Sequence, residues 1–138
     1  MITNRDKKMI KHALDVSNQS DFHKYHIGCV VAYKNKILNA SYNTKKTHPI
    51  QKKFNTVRYK MDSTPHCMHA EIHAISPIIN NDIDWKNVTV YVARKRNEDG
   101  KNGMARPCAT CMKVMKELGI RNIVYTTDFG IAHEVIDE

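Results

Sequence analysis

A histidine two residues before a glutamate, His69-Ala70-Glu71, is answered later in the chain by Pro107-Cys108-Ala109-Thr110-Cys111. His69 and Cys108 are 39 residues apart, so a fold that uses both must bring two distant segments to one place. Cysteines at i and i+3 share one helical face, which lets two sulfurs converge on a single ion. Pro107 suits the start of such a helix, where its missing N–H costs nothing. Thiolates there also lie at the positive end of the helix dipole, which favours the deprotonated, metal-binding form. His69 adds one nitrogen to the two sulfurs. Three protein ligands leave a tetrahedral zinc with an open fourth position, the catalytic rather than the structural arrangement. Glu71 remains as a carboxylate that the metal does not need.

Each motif alone is weak, because C-x-x-C also reads as a redox pair or as half of a structural zinc site. A structural site needs a fourth ligand, and His66 and Cys67 stand just before His69. Together with His48 the same two residues form a candidate second, structural zinc set.

At 138 residues the chain is expected to form one domain, residues 1–138, large enough for a core without disulfide staples. No segment approaches the run of about 20 apolar residues that a membrane span needs. The first residues lack the apolar stretch of a signal peptide. The expectation is an intracellular, cytoplasmic protein with no membrane partner. In a reducing compartment its four cysteines are free thiols or metal ligands. Cys29, inside the apolar run Ile27-Gly28-Cys29-Val30-Val31, reads as a small buried hydrophobe. The net charge of +8 favours anionic partners, nucleotides or polynucleotides, and does not choose between them.

Helical spacing of Met9, Ile10, Ala13, Leu14 and Val16 predicts a first helix, with Asn4 as its cap. Residues 26–33 and 37–41 read as the two halves of a hairpin turned at Lys34-Asn35-Lys36. Residues 44–65 are polar and basic, a long loop with one helical turn around 51–57; long loops in compact domains are usually functional. Residues 69–79 look helical until Pro77 bends or ends the helix. The run Val88-Thr89-Val90-Tyr91-Val92-Ala93 reads as a strand buried on both faces. A charged loop over 95–106 carries two glycine turns, Asp99-Gly100 and Asn102-Gly103. A helix over 108–118 ends on Gly119 as a left-handed cap. Ile123-Val124-Tyr125 is a strand, Asp128-Phe129-Gly130 a turn, and 132–138 a last short helix. The strand–helix–strand order implies a parallel pair. The fold class is therefore α/β, a three-layer α/β/α sandwich with a mixed central sheet and an N-terminal hairpin.

From Gly28 to Tyr125 the ordered pair of motifs resembles the zinc-dependent cytidine and deoxycytidylate deaminase superfamily, whose signature is H-x-E followed by P-C-x-x-C. The branch it is most similar to is the deoxycytidylate deaminases. The resemblance implies one catalytic zinc per chain on His69, Cys108 and Cys111. It implies Glu71 as the proton shuttle between a zinc-activated water, the ring nitrogen and the departing amine. It also implies a cytidine deaminase-like fold and a homo-oligomer. In such relatives an asparagine at the place of Asn43 hydrogen-bonds sugar or base; the plainer reading of Asn43 is a turn residue. Backbone near Ala70 would face the ring, and Lys45, Lys46 and Arg106 are candidates for a 5′-phosphate. His12, His23, His26, His73 and His133 read as packed or solvent-facing.

Three functions compete. The first is deamination of cytosine in a free nucleotide, dCMP to dUMP. The second is deamination of cytosine, with adenine ranked behind it, in single-stranded DNA or RNA; the charge favours it, and the scarcity of aromatic stacking platforms opposes it. The third is a zinc-stabilised binding domain without turnover, which the intact Glu71 opposes.

Overall fold

A computed structural model describes residues 2–21, 25–34, 36–44, 69–96 and 101–136. Helix α1 spans Asn4–Ser17, followed by β1 (His26–Tyr33), β2 (Lys36–Tyr42) and α2 (Ala70–Ile75). Then come β3 (Val88–Lys95), β4 (Asn102–Gly103), α3 (Ala109–Leu118), β5 (Asn122–Thr127) and β6 (Gly130–Val135). Short 3-10 turns at Ser76–Ile78 and Trp85–Asn87 link α2 to β3.

The strands form one sheet in the order β2-β1-β3-β5-β6, with β4 paired to the end of β3. Among the described residues only β3 and β5 run parallel, across the α3 connection; the other pairings are antiparallel. This is the expected mixed sheet with its N-terminal hairpin. Alternation along the strands feeds two cores, as a period of two requires. Cys29, Val31, Val88, Val90, Val92 and Ile123 face α2 and α3. Val30, Ala32, Tyr91, Ala93 and Val124 face Ile10 and Ala13 of α1. The layers are thus helix, sheet and helices. Each fully buried Val or Ile contributes about 1.5–3 kcal/mol.

Two glycines are set by contact and backbone rather than by chance. Gly28 in β1 touches α1 so closely that a Cβ would overlap the carbonyl oxygen of Ala13. Gly119 caps α3 at φ 100°, a left-handed conformation that side chains resist. Across the α1 layer, the Tyr91 hydroxyl donates to Asp6 Oδ1 at 3.0 Å in a buried bond.

Three expectations require correction. Thr3, not Asn4, caps α1, because Asp6 answers it: Thr3 Oγ1 accepts from Asp6 N–H and Asp6 Oδ2 accepts from Thr3 N–H, a reciprocal capping box. Asn102-Gly103 is a short strand against β3 rather than a loop turn, with Gly103 opposite Arg94. The chain after Gly130 is a strand, not a helix. It pairs with β5 along its whole length and places Ile131 on the α1 side and Ala132 and Ile136 on the opposite side. Among the described residues no helix is long and apolar enough to cross a membrane.

Candidate active site

One edge of the sheet collects the start of β1, the end of β2, the end of β3 and the first residues of α2 and α3. His69 is the N-cap of α2 and Cys108 that of α3, so the helices begin on the residues the sequence singled out. Their first turns close on His73 N–H to His69 O and Met112 N–H to Cys108 O, both at 2.9 Å. Cys111 follows within the first turn of α3 and is fully buried, whereas Cys108 is exposed.

His69 Nδ1 lies 3.4 Å from Cys108 Sγ and 3.4 Å from Cys111 Sγ. The three ligand atoms fall within 4.8 Å of one another. A nitrogen and a sulfur on one tetrahedral zinc, at bond lengths of roughly 2.0 and 2.3 Å, are about 3.5 Å apart. The donor set and its spacing therefore fit the ion. The hydrogen bond from Cys111, with a further contribution from His69, holds the Cys108 thiol down to about 4. Cys111 is pushed up by that same hydrogen bond and by burial. A cation bound between them requires both sulfurs as thiolates, so binding it releases the protons they hold.

Glu71, only 5% exposed, sits one helical step beyond His69. Burial pushes its carboxyl up from the usual carboxylate range, and His69 opposes that shift. A carboxyl that holds its proton more tightly than usual is suited to taking up and handing on protons. Glu71, His69, Ala70 and Cys108 line a cavity of about 240 Å³, just below the roughly 300 Å³ at which drug-sized pockets begin.

The other sequence candidates fare differently. Asn43 lines the cavity, but it also staples the sheet edge. Its Oδ1 accepts from Ile27 N–H at 2.9 Å and its Nδ2 donates to Tyr25 O at 3.1 Å. Arg106 lines the cavity too, with two guanidinium nitrogens on Glu134 at 2.9 and 2.8 Å. That bond pulls the Glu134 carboxyl below its usual range. Lys45, Lys46, His48, His66 and Cys67 lie outside the described residues, as does His23. His73 is packed: its Nδ1 meets Tyr42 O at 2.8 Å and its ring stands edge-on to Tyr42. Cys29 is fully buried, as expected. The sequence reading missed Tyr25, Ile27, Arg94, Met104 and Ala105, all on the cavity wall. One signal was available for Arg94: it is a charge that directly follows six residues of an otherwise apolar strand.

Fold and site together define a zinc-binding deaminase domain. The model of the cytidine and deoxycytidylate deaminase zinc-binding region matches residues 3–127, and the chain belongs to this family. No curated protein matches it by sequence. Among solved structures it is similar to dCMP deaminase from the cyanophage S-TIM5 in apo form, with a TM-score of 0.64, 17% identity, and coverage of 92% of this chain and 86% of that one. It is similar to cytidine deaminase from Burkholderia pseudomallei, with a TM-score of 0.63, 15% identity and coverage of 94% and 91%. It is also similar to the S-TIM5 enzyme in complex with dCMP and dUMP, with a TM-score of 0.63, 18% identity and coverage of 92% and 84%. At these identities the likeness is one of fold.

Proposed function

We propose that the chain hydrolyses the exocyclic amine of cytosine in a free (deoxy)cytidine nucleotide, converting dCMP to dUMP. What carries the reading is a buried carboxyl, Glu71, beside three metal donors on one small cavity. His69, Cys108 and Cys111 would hold a zinc ion, which would supply the Lewis acidity that makes water a nucleophile at neutral pH. Glu71 accepts the proton that this water gives up and passes it to the ring nitrogen next to C4. The same carboxyl then takes the second proton of the attacking water, now a hydroxyl on C4, and delivers it to the amine. Oxygen then replaces nitrogen at C4, water is consumed and ammonia leaves. General acid–base help of this kind is worth about 10²–10⁴ in rate.

The size of the cavity supports a small substrate, and the net charge of +8 supports an anionic one. The test offers zinc-loaded protein dCMP, deoxycytidine, cytidine and a cytosine-containing single strand in parallel. Ammonia release from dCMP at the highest kcat/KM is the expected result. Release from the strand alone overturns the free-nucleotide reading, and release from none of the four overturns the activity.

A further inference from the structure

Arg94, the penultimate residue of β3, lines the cavity that holds Glu71 and Cys108. Its side chain is half-buried, and its Nε is buried with no hydrogen-bond partner. The guanidinium carbon lies over the Tyr25 ring, 5.0 Å from its centroid. Among the described residues no carboxylate pairs with it, whereas the cavity's other arginine, Arg106, is neutralised by Glu134. A guanidinium cannot shed its proton to escape burial. A partly desolvated charge without a counterion is costly, and the cost is recovered when an anion arrives.

The surroundings hold this group in place. Thr126, fully buried, accepts from Arg94 N–H at 3.0 Å and donates to Gly103 O at 2.7 Å, which ties the β3–β4 hairpin to β5. Gly103 packs on the arginine stem; a Cβ there would come within 3.2 Å of Arg94 Cδ and 3.3 Å of Cγ. The Thr126 hydroxyl fixes the Arg94 backbone, and the Gly103 contact and the Tyr25 ring restrict its side chain, so less entropy is lost when it binds. A planar fork of donors suits phosphate oxygens.

We propose that Arg94 is the anion receptor of this cavity and selects substrates bearing a 5′-phosphate over the matching nucleosides. The inference deepens the reading of the cavity as a nucleotide-deaminating site and rests on it. It also shifts the phosphate contact from Arg106, whose charge is already met, to a residue contributed by β3.

The test compares wild type, Arg94→Ala and Arg94→Lys for dCMP and deoxycytidine, with thermal melting to establish that each variant is folded. In wild type kcat/KM favours dCMP. In Arg94→Ala that preference falls by about 10- to 100-fold, carried by KM, because charge-assisted hydrogen bonds are lost with only one of the two substrates. Arg94→Lys, a point charge without the fork, recovers part of it. An unchanged preference, or an equal loss on both substrates, overturns the receptor. Calorimetric titration of zinc-loaded protein with dCMP and with deoxycytidine reads the same selectivity without turnover. If wild type releases no ammonia yet binds dCMP through Arg94, the deamination reading fails and the receptor stands. If Arg94→Ala weakens binding of a single strand and leaves dCMP untouched, the receptor belongs to a polynucleotide phosphate and the proposal falls.

Discussion

His69 Nδ1 lies 3.4 Å from Cys108 Sγ, although the two residues open different helices and are 39 positions apart. Sheet topology alone brings them together, so a metal on them ties α2 to α3 and stabilises only the folded state. Purified protein is expected to carry one zinc per chain by elemental analysis, and His69→Ala or Cys111→Ser to carry almost none. Zinc at a hundredfold excess over its Kd adds about 2.7 kcal/mol, which for a chain of this size raises Tm by about 10 °C. A melting temperature indifferent to both chelator and added zinc would count against the site.

Glu71 offers a cleaner separation of binding from chemistry. Its carboxyl is not needed as a ligand, and Gln matches it in shape while removing the proton carrier. Glu71→Gln should therefore retain zinc and lose turnover by about 10²-fold or more. Wild-type rates in a zinc-replete Glu71→Gln preparation would remove the proton-shuttle role.

The metal donors were legible in the sequence because their chemistry is carried by residue type and short spacing: a histidine, two cysteines at i and i+3, and a helix that stops at Gly119. Strand β3 was legible as well, since an unbroken apolar run has few other fates. What stayed hidden depends on partners distant in the chain. The six residues of β6 alternate only weakly, with Gly130 and Val135 exposed, and become a strand because the edge of β5 needs covering. Thr3 rather than Asn4 caps α1 because of Asp6, a reciprocal bond that the apolar pattern does not report. Arg94 reads as a strand end until the fold sets Tyr25, Thr126 and Gly103 around it.

The Tyr91–Asp6 bond gives a pH signature unconnected with the metal. Burial, with Asp6 adding to it, pushes the Tyr91 hydroxyl up to about 12 from its ordinary 10. The folded state thus holds this proton more tightly than the unfolded chain does. The associated stability is complete below pH 10 and is lost as pH rises through about 12. Tyr91→Phe is expected to be less stable than wild type by about 1–3 kcal/mol at pH 7, because it leaves Asp6 Oδ1 without its donor. Urea melts of both proteins from pH 8 to 12 check the sign: the gap between them should narrow above pH 10. A gap that widens there would mean that the phenol is not the group being titrated.

Asn43 separates the structural demand on the cavity wall from the chemical one. Its amide closes two hydrogen bonds to β1's entry segment, at Ile27 N–H and Tyr25 O, and its own N–H donates to Ile27 O. Asn43 itself is only 2% exposed, so its amide is shielded from water. Asn43→Ala removes the acceptor of Ile27 N–H and a donor to the Tyr25 carbonyl, two hydrogen bonds that together contribute about 1–3 kcal/mol. It also removes one hold on Tyr25, the ring over which Arg94 lies, so the damage should reach substrate affinity as a raised KM for dCMP. Asn43→Asp is the informative partner: it keeps an acceptor for Ile27 N–H but sets a carboxylate against the Tyr25 carbonyl and in the path of an anionic substrate. If the clamp is the dominant role, both variants lower the midpoint of urea unfolding. Asn43→Asp should then penalise dCMP more than deoxycytidine. A variant with wild-type unfolding and a KM raised equally for both substrates would instead make Asn43 a direct contact to base or sugar.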